Sequence, residues 1–107
     1  MQFTSYLQDG QLTIALDGEI DHHSAKRYIQ AINAKIEAYA PKVCILDYSL
    51  VTFMDSSGIA VVINTLRQMT ANGGKLLLTG LNPQPLKVCH ASGIHKLVEI
   101  KEEKREI

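Results

Sequence analysis

The sequence predicts an α/β domain: a mixed, mostly parallel sheet of four to five strands with helices mainly on one face, in the order β-β-α-β-α-β-α. Three observations carry this. Two alternating segments meet at Asp9-Gly10, a two-residue hairpin signal. Two short apolar runs, Val43-Cys44-Ile45-Leu46 and Leu76-Leu77-Leu78, read as strands. Stretches with apolar residues three and four apart precede and separate those runs, as helices packed on a sheet require.

The elements follow in order. Residues 2–8 and 11–17 form the opening hairpin; Leu12, Ile14 and Leu16 alternate with Thr13, Ala15 and Asp17, and Gly18 ends the second strand. Residues 24–39 form a helix with Ala25, Tyr28, Ile29, Ile32 and Ile36 on one stripe. Asp21 or Ser24 can cap its start, and Pro41 marks its end. The two apolar runs are expected to be covered on both faces, as in a parallel sheet. Between them, Ile59, Val62, Ile63, Leu66 and Met69 make the stripe of a second helix, which Asn72-Gly73-Gly74 terminates. Asn82-Pro83 opens a third helix, asparagine as cap and proline in the first turn, and Ser92-Gly93 closes it. Residues 94–100 form a last short element at the sheet edge, and the charged tail at 101–107 is expected to fray. Strands joined through a helix should be parallel. At 107 residues, without a linker or repeat, residues 1–107 read as a single domain.

Charge and composition narrow the function. Eleven basic residues balance eleven acidic ones, which argues against a nucleic-acid or membrane-surface partner. No apolar run approaches the roughly 20 residues needed to span a bilayer. The first residues lack the basic-then-apolar order of a signal peptide, so the expected localisation is cytoplasmic. Cys44 and Cys89 fit no Cys-x-x-Cys pattern and read as buried thiols.

Most chemistry is missing. Gly73-Gly74-Lys75 is followed by Leu76, not by the serine or threonine of a phosphate-cradling loop. His22 and His23 are adjacent, and His90 and His95 are five apart; neither pair has ligand spacing, so no metal or cofactor is expected. A hydrolase using Ser56 or Ser57 with His22 or His23 would lack the Gly-x-Ser-x-Gly elbow that exposes a nucleophile.

What stands out is Asp55-Ser56-Ser57-Gly58, directly before the second helix. A helix start presents unpaired N–H groups and the positive end of the dipole, so it tolerates a phosphate. Asp55 or Ser56 can serve simply as the cap. Gly58 is less expected within a first turn, and its missing side chain leaves room for a close approach by another backbone or an enzyme. Either serine lies near enough to the helix start to carry a charge switch.

Four segments occur in order: Gly18-Glu19-Ile20-Asp21-His22-His23, then Val51-Thr52-Phe53-Met54-Asp55-Ser56-Ser57-Gly58, then Asn72-Gly73-Gly74-Lys75, then Ala91-Ser92-Gly93-Ile94. Together they resemble the bacterial anti-sigma factor antagonists, which are single STAS domains. The resemblance runs from the hairpin to Ile100; Ala60 departs from the second glycine of the sporulation-type members. It implies a non-enzymatic, serine-phosphorylated regulator of transcription. Its partners would be an anti-sigma factor that is also a serine kinase, and a phosphatase that reactivates it. Phosphorylation would fall on Ser56, and ATP and magnesium would belong to the kinase. Asp21, His22, His23, Asp55, Ser56, Ser57 and Gly58 are the expected partner-binding residues. The alternative is a STAS regulatory module of another assembly, a stress-signalling complex or a phospholipid-transport accessory protein.

Overall fold

The computed structural model describes residues 2–101. Of the charged tail expected to fray at 101–107, Lys101 instead ends a strand and the rest lies outside them. The elements are β1 (Gln2–Gln8), β2 (Gln11–Asp17), α1 (Ala25–Tyr39), β3 (Val43–Leu50), α2 (Ser56–Ala71), β4 (Lys75–Thr79), α3 (Pro83–Ser92), a 3-10 turn (Ile94–Lys96) and β5 (Glu99–Lys101). The five strands lie in sequence order, β1-β2-β3-β4-β5. β1 and β2 are antiparallel, and the three later pairings are parallel.

Local chemistry sets the boundaries. Asp9 and Gly10 take φ of 52° and 80°, the paired left-handed conformation that a two-residue hairpin needs. Ala40 ends α1 in the left-handed region, donating its N–H to the Ile36 carbonyl at 2.8 Å, just before Pro41. The last expected element resolves into two pieces, and β5 joins the sheet as a parallel edge strand.

Burial alternates along the strands. Cys44, Leu46 and Tyr48 are buried, while Ile45 and Asp47 between them are half-buried. Leu76 and Leu78 are buried and Leu77 is not. The expectation that both apolar runs are covered on two faces is therefore corrected. α2 packs against both α1 and α3, so the three helices form one layer over one face. The row Tyr6, Thr13, Ile45, Leu77 lies on the other face, where cross-strand neighbours supply the partial cover. A continuous apolar run does not distinguish a doubly covered strand from one whose second face is apolar but open.

The core lies between the helix layer and the sheet. Leu12, Ile14, Leu16, Leu46, Tyr48 and Leu78 meet Tyr28, Ile32, Ile36, Val62 and Met69, all fully buried. Tyr28 also ties α1 to the end of β2, its hydroxyl donating to the Asp17 carbonyl at 2.8 Å. Cys44 and Cys89 are free, buried thiols; burial pushes them up to about 12 and about 11.

Candidate functional site

The site forms where β3 runs out of the sheet. Asp47 is the last β3 residue paired with β4, opposite Thr79. On the β2 side the register slips: Asp47 faces Ala15, but Leu50 faces Asp17, so β3 carries one extra residue. Such a bulge re-aims the strand that carries it. The Ser49 N–H, displaced from the ladder, donates to the Asp47 carboxylate at 2.9 Å.

Beyond the bulge, Met54 forms a one-residue parallel bridge with Ile20. The Ile20 N–H donates to the Phe53 carbonyl at 3.0 Å, and the Asp55 N–H to the Ile20 carbonyl at 3.1 Å. This bridge joins the loop carrying Asp21, His22 and His23 to the start of α2. Two segments that are distant in sequence thus form one surface.

Asp55 is the N-cap of α2, and its carboxylate accepts from the Ser57 N–H at 2.7 Å. Ser56 and Ser57 are the first two helical residues. Ser56 is exposed and Ser57 half-buried. Gly58 is buried: a Cβ there would lie 2.8 Å from the Met54 sulfur and 3.1 Å from its Cβ. The close approach expected at Gly58 is that of Met54, a neighbour in the chain, rather than a partner's backbone. It lets the first turn of α2 settle on a buried side chain.

In the companion loop, Asp21 organises the turn into α1. Its carboxylate accepts from the His23 and Ser24 N–H groups at 2.9 and 3.0 Å. The Ser24 N–H first, then that of His23, holds the Asp21 carboxyl below the ordinary carboxylate value. Ser24 occupies the N-cap position of α1 without capping it through its side chain; its hydroxyl donates to the Glu19 carbonyl at 3.1 Å. His22 and His23 are exposed, with ring centroids 3.9 Å apart. Among the described residues, no hydrogen bond joins either histidine to Ser56 or Ser57, and no group of three or more His, Cys, Asp or Glu could hold a metal. His90 and His95, five apart in sequence, do come together, with centroids at 4.3 Å.

Two features escaped the sequence reading. Leu50, the last residue of β3, and Phe53, on the β3–α2 connection, are 57% and 41% exposed, two apolar side chains left open on the stretch of chain that leads to Ser56. Nothing in the alternation of β3 distinguishes Leu50 from the core residues Cys44, Leu46 and Tyr48. Asn82 occupies the N-cap position of α3, as expected, but makes no capping bond through its side chain. Its amide instead donates to the Val51 carbonyl at 2.8 Å and the Ser49 carbonyl at 3.2 Å.

The STAS domain model matches residues 2–107. The chain belongs to the STAS domain family. Within it, this STAS domain is 32% identical over 83 residues to the anti-sigma F factor antagonist of Lysinibacillus sphaericus, covering 78% of this chain and 71% of that protein. Its fold matches the anti-sigma factor antagonist SpoIIAA in its unphosphorylated form, with a TM-score of 0.82, 27% identity, and coverage of 97% of this chain and 90% of that one. It also matches the Bacillus cell fate determinant SpoIIAA in its phosphorylated form, with a TM-score of 0.73, 27% identity, and coverage of 97% and 93%. No helix among the described residues is long and apolar enough to cross a membrane.

Proposed function

We propose that this STAS domain is an anti-sigma factor antagonist switched by phosphorylation of Ser56. The observation that carries the reading is Ser56 itself: exposed, the first residue of a 16-residue helix, next to a serine that is half-buried. The domain binds a cognate anti-sigma factor and so frees a sigma factor. That anti-sigma factor is also the serine kinase, which supplies ATP and magnesium, and a phosphatase restores the hydroxyl. The domain acts in the cytoplasm as ligand and substrate, not as catalyst.

The docking surface is the bridged pair of loops. Asp21, His22 and His23 flank the start of α2 on one side, and Leu50 and Phe53 add apolar area beside Asp55, Ser56 and Ser57. Gly58 contributes from beneath, by seating the helix on Met54. Unmodified Ser56 offers a small neutral group that donates or accepts across an interface. Phosphorylation adds about −1.5 to −2 charge at neutral pH. Within the domain the effect is mild, because the helix dipole favours the phosphate while Asp55 opposes it. Across an interface the same charge, facing apolar surface or a carboxylate, costs several kcal/mol; about 4 kcal/mol is roughly a thousandfold in affinity.

The test combines phosphosite mapping with binding. The full chain is incubated with ATP and native lysate, read by intact mass, and its partner is identified by pull-down. One phosphate on Ser56, an anti-sigma kinase as partner, undiminished binding of Ser56→Ala and roughly thousandfold weaker binding of the phosphorylated form are expected. Equal affinities of wild type, Ser56→Ala and the fully phosphorylated chain would end the switch. Recovery of a stress-signalling or lipid-transport assembly instead would move the domain to another STAS system.

A further inference from the structure

We propose that Gln84 and Asn82 are positioning residues for the phosphorylatable serine: their side-chain amides take the place of a missing sheet strand and hold segment 49–54 in the conformation that presents Ser56. This rests on the reading of Ser56 as acceptor.

The geometry is that of a sheet completed by side chains. β3 and β4 pair as far as Asp47 and Thr79. β4 then ends and the chain turns at Gly80, with φ of 69°. From that point, segment 49–54 has a backbone neighbour on the β2 side, through Gly18 and Ile20, but among the described residues no strand on the β4 side. Met54 is fully buried, so its N–H and C=O need partners. Gln84 supplies both. Its Oε1 accepts from the Met54 N–H at 2.9 Å, and its Nε2 donates to the Met54 carbonyl at 2.9 Å. This is the reciprocal pair of bonds that a residue on an adjacent strand would make. Three residues upstream, Asn82 donates to the Val51 and Ser49 carbonyls. The Ile20 backbone thereby holds the residues on either side of Met54, Phe53 and Asp55, while the Gln84 amide holds Met54 itself, with the first turn of α2 resting on its side chain through Gly58.

Ser56 stands two residues beyond this grip. Neither amide touches it, so both act through the segment between. A carboxamide is what the position requires: one acceptor and one donor in a plane, matched to one N–H and one C=O. In the Gln84→Glu variant the ionised carboxylate keeps the acceptor and faces the Met54 carbonyl with a second acceptor. Protonation returns the donor.

Amide hydrogen exchange on the free full chain, read by NMR and normalised to intrinsic rates, provides the test without any partner. Gln84→Ala is expected to speed exchange at Met54 and Asp55 by at least tenfold, with Leu46 and Leu78 in the ladder unchanged; Asn82→Ala should do so more weakly. Gln84→Glu keeps the acceptor for the Met54 N–H and loses only the donor to its carbonyl, so at neutral pH it should lose less protection than Gln84→Ala, and it should regain protection as pH falls through the glutamate range, about 4.3. Unchanged exchange at Met54, equal acceleration at Leu46 and Leu78, or no recovery at low pH would overturn the positioning role. In parallel, phosphate uptake at Ser56 from ATP in native lysate should slow by about tenfold in Gln84→Ala. A slowing confined to KM or kcat at unchanged ladder protection supports the proposal, and an unchanged rate overturns it. Wild type that takes up no phosphate would sink the switch reading, while the exchange data would still decide whether the amides hold the segment.

Discussion

β3 and its continuation solve one problem in two ways. From Val43 to Asp47 the backbone is bonded on both sides by other strands, β2 and β4. From Ser49 to Met54 it has backbone on one side and the carboxamides of Asn82 and Gln84 on the other. The first arrangement is nearly indifferent to sequence, because every residue but proline carries the same ladder groups. The second depends on two particular side chains. The domain thus has a generic ladder beneath and, leading to Ser56, a segment held by particular side chains at the rim.

Substitutions in the two regions should separate accordingly. The largest effect is expected in the ladder: Leu46→Ala removes a fully buried side chain and should lower unfolding free energy by about 3 kcal/mol, read by urea denaturation. The fraction that remains folded should bind the partner normally. If binding falls out of proportion to folding, the two regions are not separable. Gly58→Ala should lose less, about 1–2 kcal/mol: the new Cβ crowds Met54, and methionine yields more readily than a rigid side chain. Its signature should be altered exchange at Met54 and slower phosphorylation of Ser56 rather than a broad loss of protection.

Asp55→Ala removes the bond from the Ser57 N–H and should reduce stability by about 1 kcal/mol, as helix caps do. Thermal melting and the NMR shifts of Ser56 and Ser57 would show it; unchanged values for both would deny Asp55 the cap. The smallest effect concerns Asp21. Its folded carboxyl lies below the ordinary value, so its contribution is present above the unfolded pKa and is lost as pH falls through the folded one. An NMR titration should place Asp21 below a model carboxylate. Asp21→Asn should remove that pH dependence while keeping an acceptor for the His23 and Ser24 N–H groups.

The hairpin was legible because Asp9-Gly10 suits few conformations other than a tight left-handed pair. The first two helices were legible because their apolar stripes repeat at helical spacing, and the third because Asn82-Pro83 and Ser92-Gly93 bracket it. The cover of the sheet was not: Ile45 and Leu77 are as apolar as their buried neighbours, and only the placement of all three helices in one layer shows which face stays open. Asn82 sits at the N-cap position that local sequence indicates, but the use of its amide was not legible. Asparagine before proline reads as a cap from local sequence, but its amide found better partners more than 30 residues away in the chain.

The sequence by itself determined the elements, their order and the segment Asp55-Ser56-Ser57-Gly58 as the place of interest, because those rest on spacing and local conformation; the family was indicated by the resemblance of its motifs. Tertiary structure decided which serine faces solvent, why Gly58 must be bare, and what holds the segment above it. Exposure, close approach and hydrogen bonding between Met54 and Gln84 are properties of chain segments brought together by folding, and no local pattern encodes that meeting.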